Sequence, residues 1–600
     1  MAPKSLASRK LIIIAIFVAV AFVYIGRLFY LQIIDGSYKL SADNNVLRFV
    51  TQYPARGLIY DRNGKLLVYN EAVYDLMVVP RLVKELDTAE FCRLLGITVV
   101  QYKENLQKAK KYSYYKPSPF EKQISKETYG YLEEKMFRYP GFYVQKRTLR
   151  KYPTPLGAHL LGYIGEVNQN TIDKDPYYKS GDYIGISGIE KSYEEVLRGT
   201  KGIEIRMVDV HNREVGSYKD GLYDTLAVMG SDLYLTIDAE LQEYGEKLMQ
   251  GKMGSVVAIE PATGEILAFL SSPGYDPNLL VGRVRGKNFT ELSNDPVKPL
   301  LNRAMMGQYP PGSTFKMVND LVGLQEGVIT PLTRFTCQGT GSSPIRCTHS
   351  HQTPLDVYAA IQQSCNPFHW QVYRNTLNNA GRKNFRDNYV AWRNHVMSMG
   401  FGHKLGTDML FELSGSIPSA DKFDAIYGAG RWNAMTVRSL SIGQGEILVT
   451  PLQLANSAAV MANRGFYVVP HVVKAIGDNH DMGDKFQKIT SSIAKEHFEV
   501  VVEGMRQVTT MGTGRRYQVP DVVMCGKTGT AENPHGKDHS LFMAFAPADK
   551  PVIAIAVIVE NAGFGATWAL PIASLMIEKY INREVTRTEL EERMITSKLY

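Results

Sequence analysis

The sequence predicts an α+β protein of several folding units carried on one membrane-spanning helix. Its 600 residues are about four times the usual ~150 of a domain. An uncharged apolar stretch opens the chain, and beyond it short strand-like runs interleave with capped helical patterns. With 44% hydrophobic and 21% charged residues the body has ordinary globular composition, which excludes long disorder and a multi-span membrane protein. A formal charge of +8 is small for this length and is not gathered into a basic stripe, so nucleic acid is excluded as a partner.

Residues 11–34 make about 36 Å of helix, enough to cross a bilayer and anchor the chain in membrane lipid. Arg27 falls near the far interface, where its stem can snorkel, and Tyr24 and Tyr30 suit the same level. Lys4, Arg9 and Lys10 precede the span, so the positive-inside bias places residues 1–10 in the cytoplasm and the bulk outside. A cleaved signal peptide cut after Ala19-Val20-Ala21 is the alternative, but that cut falls inside the apolar run. Five cysteines, at 92, 337, 347, 365 and 525, are too few and too scattered for a disulfide framework.

After the anchor, residues 54–69 read as two short strands joined by a type I′ turn at Asn63-Gly64. A helix is expected over 125–137 and another within 185–199, the latter turning Tyr193, Val196 and Leu197 inward before a Gly199 stop. A boundary near Gly230-Ser231 separates a β-rich domain, 35–230, from a second domain, 231–580. The second begins with a strand at 233–237, a helix capped by Asp238, and a hairpin whose strands flank Pro261-Ala262-Thr263-Gly264. Residues 581–600 are polar, a solvated helix or a mobile tail.

The chemistry concentrates in three short motifs. Ser313-Thr314-Phe315-Lys316 follows Pro310-Pro311-Gly312 and opens an apolar helix, so Ser313 and Lys316 share a face and the lysine can take the hydroxyl proton. For that, Lys316 must be neutral part of the time, which requires burial or a second cation nearby. Ser364-Cys365-Asn366 comes 51 positions later (364 − 313), and Lys527-Thr528-Gly529-Thr530 a further 163 (527 − 364). Together they are parts of an acyl-transfer site: Ser364 can relay a proton, Asn366 can hold an amide, Lys527 can attract a carboxylate, and Gly529 can let a substrate backbone approach. The order S-x-x-K, S-x-N, K-T-G is the set found in penicillin-binding proteins and class A β-lactamases.

On these motifs, and on Arg56-Gly57-Leu58-Ile59-Tyr60-Asp61, Gly188-Ile189-Glu190, Asn302-Arg303-Ala304, Gly443-Gln444-Gly445 and Phe545-Ala546-Pro547, nearly the whole chain resembles a class B penicillin-binding protein of the elongation type. The resemblance implies a pedestal (dimerisation) domain followed by a penicillin-binding, serine β-lactamase-like transpeptidase domain. It implies acylation of Ser313 by the D-Ala-D-Ala end of a peptidoglycan stem peptide, transfer to a neighbouring stem's amine, and inhibition by β-lactams. It places the oxyanion on the backbone N–H groups of Ser313 and Thr530, and the donor carboxylate on Thr528, Thr530 and Lys527. Cys365 stands where the related β-lactamases carry Asp in their S-x-N motif. The implied partners are a SEDS-family glycan polymerase and scaffold proteins of the elongation complex. The rival functions are a membrane-anchored β-lactam hydrolase or D,D-carboxypeptidase, and a non-catalytic β-lactam sensor or scaffold.

Catalysis needs no cofactor in this reading. Between the first two motifs, Cys337, Cys347, His349 and His351 offer four soft or borderline ligands in 15 residues, enough for a tetrahedral structural zinc. Some relatives of the family hold a zinc in this interval. A Cys337–Cys347 disulfide and unliganded side chains are the alternatives.

Overall fold

The structure, a computed structural model, describes residues 6–30, 33, 47–208, 214–382, 384–477 and 480–600. The chain forms two compact units. The first comprises Met1–Arg56, Ala72–Thr148 and Arg198–Gly230, the second Gly57–Glu71, Leu149–Leu197 and Ser231–Tyr600. A boundary near 230 is linear, whereas these units interleave. Residues 57–71 belong with the second because Ile59–Tyr60 pairs in parallel with Leu233–Leu235, and Leu58 N–H donates to Asp232 at 2.6 Å.

In the first unit, Leu6–Phe29 is one helix. Its Lys10–Phe29 portion has a mean hydropathy of 2.6 and none of it is buried, so by length and composition it can cross a membrane. Arg27 folds over the ring of Tyr30. Lys4 and positions 31, 32 and 34 of the expected span lie outside the described residues. Leu47–Gln52, Gly202–Val208 and Glu214–Ser217 form an antiparallel sheet in that order. Elsewhere in the unit residues 74–78 pair with Ser118–Ile124 beside two helices, Thr88–Leu95 capped by Asp87 and Val99–Tyr112 closed by a Thr98/Gln101 capping box. Phe91 centres an aromatic core with Tyr102, Phe120, Tyr139 and Phe142. The helix expected over 125–137 runs only Lys126–Glu133, since Lys135 leaves helical backbone geometry with its amine on Glu90 at 2.7 Å.

The second unit is built on a five-stranded antiparallel sheet in the order Ile266–Ser272, Gly254–Ile259, Ile553–Val559, His539–Ala546, Cys525–Ala531. Period-2 alternation sends successive side chains to opposite faces. Ala556 and Ile558 join the core that contains helices Lys316–Gln325 and Pro451–Ala462, while Val557 and Val559 join the one containing Ala239–Met249 and Ala569–Asn582. Both faces are covered, which is why these strands read as unbroken apolar runs. Asp238 caps Ala239–Met249 as expected. The Asn63-Gly64 hairpin forms, but only Gly64 has positive φ. Asp61 Oδ1 accepts from Asn63 and Lys65 N–H, making a type I turn with a glycine bulge in place of type I′.

The C-terminal residues are not a free tail. Thr588–Thr596 is a helix whose Met594 is buried, with Leu590, Ile595 and Leu599 packed on the same core. Lys252, wholly buried, donates to the carbonyls of Gln250, Met594 and Ser597, and Arg587 pairs with buried Glu578 at 2.8 Å. The polar composition hid four apolar residues near helical spacing.

Candidate active site

Ser313 is presented by a turn that its neighbours compel. Gly312 sits at φ +54°, its N–H donates to Gly443 O at 2.9 Å, and a β-carbon there would strike the Thr530 carbonyl. Thr314 Oγ1 closes the turn on Pro311 O at 2.6 Å. The short turn Gly312–Phe315 carries half-buried Ser313 and runs directly into the helix Lys316–Gln325, so the serine stands at a helix N-terminus, where negative charge is favoured.

Lys316 is fully buried and its amine is triply held. It donates to Ser364 O at 2.8 Å, Ser364 Oγ at 3.1 Å and Asn366 Oδ1 at 2.6 Å. Ser364 makes this possible by adopting φ +55°, which a non-glycine residue seldom does, ending the helix Val357–Gln363. Cys365 caps the next helix, Asn366–Leu377, and the S-x-N motif becomes a tight joint between two helices.

Lys527 reaches the same hydroxyl from the other side. It projects from the strand Cys525–Ala531 opposite Met543, is fully buried, and donates to Ser364 Oγ at 2.9 Å and Thr528 O at 3.1 Å. Gly529 has a packing duty that the motif did not reveal. A β-carbon there would lie 2.9 Å from Thr314 Cγ2 and 3.1 Å from Pro311 O, so glycine lets this strand close on the turn of Ser313. Gln444 Nε2 holds Thr530 O at 3.0 Å, and Thr513 Oγ1 touches Thr528 Oγ1 at 3.1 Å. Thr513, from a loop with no motif of its own, escaped sequence reasoning.

Two amines on one buried hydroxyl cannot both be charged cheaply. Burial pushes Lys316 down to about 8, with Cys365, Cys347 and Asp320 opposing that fall. Burial and then the charge of Lys316 hold Lys527 well below the ordinary lysine range.

The soft-ligand cluster forms with one member exchanged. Sγ of Cys337, Cys347 and Cys365 and a ring nitrogen of His351 lie within 4.8 Å of one another. His349, expected among the ligands, instead bonds Thr348 and stays exposed, while Cys365 is brought in by the joint at Ser364. All five cysteines are free thiols, so the Cys337–Cys347 disulfide is not formed here. Cys347 Sγ is 3.3 Å from His351 Nε2. Its interaction with Cys365 draws its thiol far down, and the same interaction pushes Cys365 up.

A serine at a helix N-terminus, two buried lysines sharing a second serine, and a five-stranded sheet between helical layers define a serine acyltransferase of the penicillin-recognising type. The chain belongs to the penicillin-binding protein transpeptidase family: residues 254–578 match the penicillin binding protein transpeptidase domain, and residues 51–235 the penicillin-binding protein dimerisation domain. It is 34% identical over 584 residues to the peptidoglycan D,D-transpeptidase MrdA of Acinetobacter baumannii, covering 91% of this chain and 83% of that protein. Among solved structures it resembles the penicillin-binding protein 2 of Helicobacter pylori in complex with MreC, with a TM-score of 0.72 at 25% identity over 89% of this chain and 99% of that one. It also resembles a chain of a peptidoglycan synthase complex that coordinates polymerization and crosslinking, with a TM-score of 0.69 at 28% identity over 96% and 99%. The protein is thus a peptidoglycan D,D-transpeptidase of the penicillin-binding protein 2 type, with an N-terminal helix suited to anchoring it.

Proposed function

We propose that Ser313 is the acylated nucleophile and that Lys316, Ser364, Asn366 and Lys527 are its catalytic partners, with Thr528, Gly529 and Thr530 binding the donor. The observation that carries this is the convergence of both buried lysine amines on Ser364 Oγ. Before substrate arrives, mutual repulsion favours a single shared proton on the pair. The donor carboxylate, held by Thr528 and Thr530, draws that charge to Lys527 and leaves Lys316 neutral. Lys316 Nζ then takes the Ser313 proton as Oγ attacks the penultimate D-Ala carbonyl, and the backbone N–H groups of Ser313 and Thr530 receive the oxyanion. The C–N bond breaks, the proton passes through Ser364 to the leaving D-Ala amine, and an ester remains on Ser313. A neighbouring stem's amine attacks that ester, gives its proton back through Lys316, and releases Ser313 with its hydroxyl restored.

The stable ester distinguishes a transpeptidase from a hydrolase. With a fluorescent penicillin, wild-type protein is expected to hold its label over many minutes, whereas loss of label within seconds would favour the hydrolase. Folded protein that takes no label would favour a sensor or scaffold.

A zinc ion fits the cluster of Cys337, Cys347, His351 and Cys365, whose three buried thiols and one imidazole, all within 4.8 Å of one another, offer the donor set of a closed tetrahedral site. Bound there, the metal supplies a structural cross-link and no open position for chemistry. Cys365 lies between Ser364 and Asn366, so the link would brace the joint that holds Lys316. Metal analysis of the purified protein is expected to give about one zinc per chain, falling at least severalfold in Cys365→Ser. A metal-free protein carrying a Cys337–Cys347 disulfide would refute the site.

The same reading places residues 1–10 in the cytoplasm and the catalytic unit outside the cytoplasmic membrane, where stem peptides lie. It also has the chain work with a SEDS-family glycan polymerase and elongation-complex scaffold proteins; the complex of the Helicobacter pylori relative with MreC supports a scaffold partner, and the synthase complex that coordinates polymerization and crosslinking supports a polymerase partner.

A further inference from the structure

Behind the two lysines lies a carboxylate–imidazole pair that these roles leave unused. Asp320 stands one turn after Lys316 on the helix Lys316–Gln325, and His369 one turn after Asn366 on the helix Asn366–Leu377. Both side chains are 0% exposed, and His369 Nδ1 lies 3.0 Å from Asp320 Oδ1. An ionised carboxylate can only accept, so Nδ1–H donates. The remaining acceptors, Asp320 Oδ2 and His369 Nε2, are buried without a hydrogen-bond partner among the described residues. Unpaired buried acceptors cost stability, and a pair retained at that cost calls for a role. The negative charge of Asp320 favours the protonated form of both Lys316 and Lys527.

We propose that Asp320, aimed by His369, is a positioning residue for acylation: its carboxylate is the counter-charge for the Lys316–Ser364–Lys527 cluster, and its bond to His369 ties the helix of Lys316 to the helix of Asn366. The titratable groups around Lys316 are Asp320 on its own helix, Lys527 on the neighbouring strand, His369 and Cys365 on the Asn366–Leu377 helix, and Cys347 from the loop before it. Removing the one carboxylate among them leaves the proton shared by the two buried amines without its counter-charge. One amine then loses its proton at lower pH.

This rests on the assignment of Lys316 as the base. The test is acylation of the full-length protein by a fluorescent penicillin, resolved into binding and the first-order acylation rate, from about pH 6 to 9 across the range where Lys316 titrates. In Asp320→Asn the pH of half-maximal acylation rate is expected to fall by about 1 unit. In His369→Phe the acylation rate is expected to fall about 10-fold with binding unchanged, and His369→Asn, whose amide can replace the Nδ1–H donor, to recover most of it. A wild-type pH profile in Asp320→Asn, or a His369→Asn variant as slow as His369→Phe, would overturn the proposal. Should Asp320→Asn fail to melt cooperatively, the two His369 variants decide alone. If Lys316 is not the base, Lys316→Ala keeps its acylation rate, which separates failure of that assignment from failure of this one.

Discussion

Replacing Ser313 by alanine is expected to abolish covalent labelling by penicillin and to reduce transpeptidation by about 10⁴- to 10⁶-fold, the usual scale for deleting a covalent nucleophile. The fold should survive. Ser313 is half-buried, and its turn is held by contacts that alanine retains, namely Gly312 N–H to Gly443 O and Thr314 Oγ1 to Pro311 O. The variant should therefore melt as the wild type does and still bind the drug reversibly, because Lys527, Thr528 and Thr530 stand on a separate strand. Gel fluorescence and a thermal melt on the same preparations are the check. Label persisting on Ser313→Ala would move the nucleophile elsewhere, with Ser364 the nearest alternative hydroxyl in the cluster. Ser364 is poorly placed for that work, since its oxygen already accepts from two amines and has one proton to give.

The three motifs of the candidate site were legible in the sequence because each depends on local backbone. Pro-Pro-Gly precedes the turn that carries Ser313, that turn runs into the helix that begins at Lys316, and a strand carries Lys527. What stayed hidden depends on which elements become neighbours. Cys365 looked like a substituted middle residue of S-x-N, and only the positive φ of Ser364 swings it toward Cys337 and Cys347, displacing His349 from the expected set. Asp320 and His369 are 49 residues apart and meet through the packing of two helices, a register that no short pattern encodes. The same limit explains the fold. The anchor, the Asp238 cap and the 254–272 hairpin follow from propensity and periodicity, whereas the return of residues 57–71 to the larger unit is a pairing between distant strands. Composition misled at the C-terminus, where apolar residues were few but regularly spaced, and one buried lysine satisfies the carbonyls that close the segment.

Lys316→Ala is expected to slow acylation by about 10³-fold and to erase the acid limb of its pH profile. In the wild type Lys316 must be neutral to accept the Ser313 proton. Burial sets its titration at about 8. Below that pH the amine is protonated and the rate falls tenfold per unit, while above it the rate approaches a plateau. An exposed lysine near 10.4 would leave well under 1% of the enzyme competent at neutral pH, whereas a group at about 8 leaves roughly a tenth. In the proposed mechanism the burial of Lys316 makes it a usable base, and its amine is held by bonds to Ser364 O and Asn366 Oδ1. Stopped-flow acylation across pH is the measurement. A flat wild-type profile between pH 6 and 9, or an acid limb that survives in Lys316→Ala, would assign the proton to another group, and Lys527 on the same hydroxyl would be the next to test.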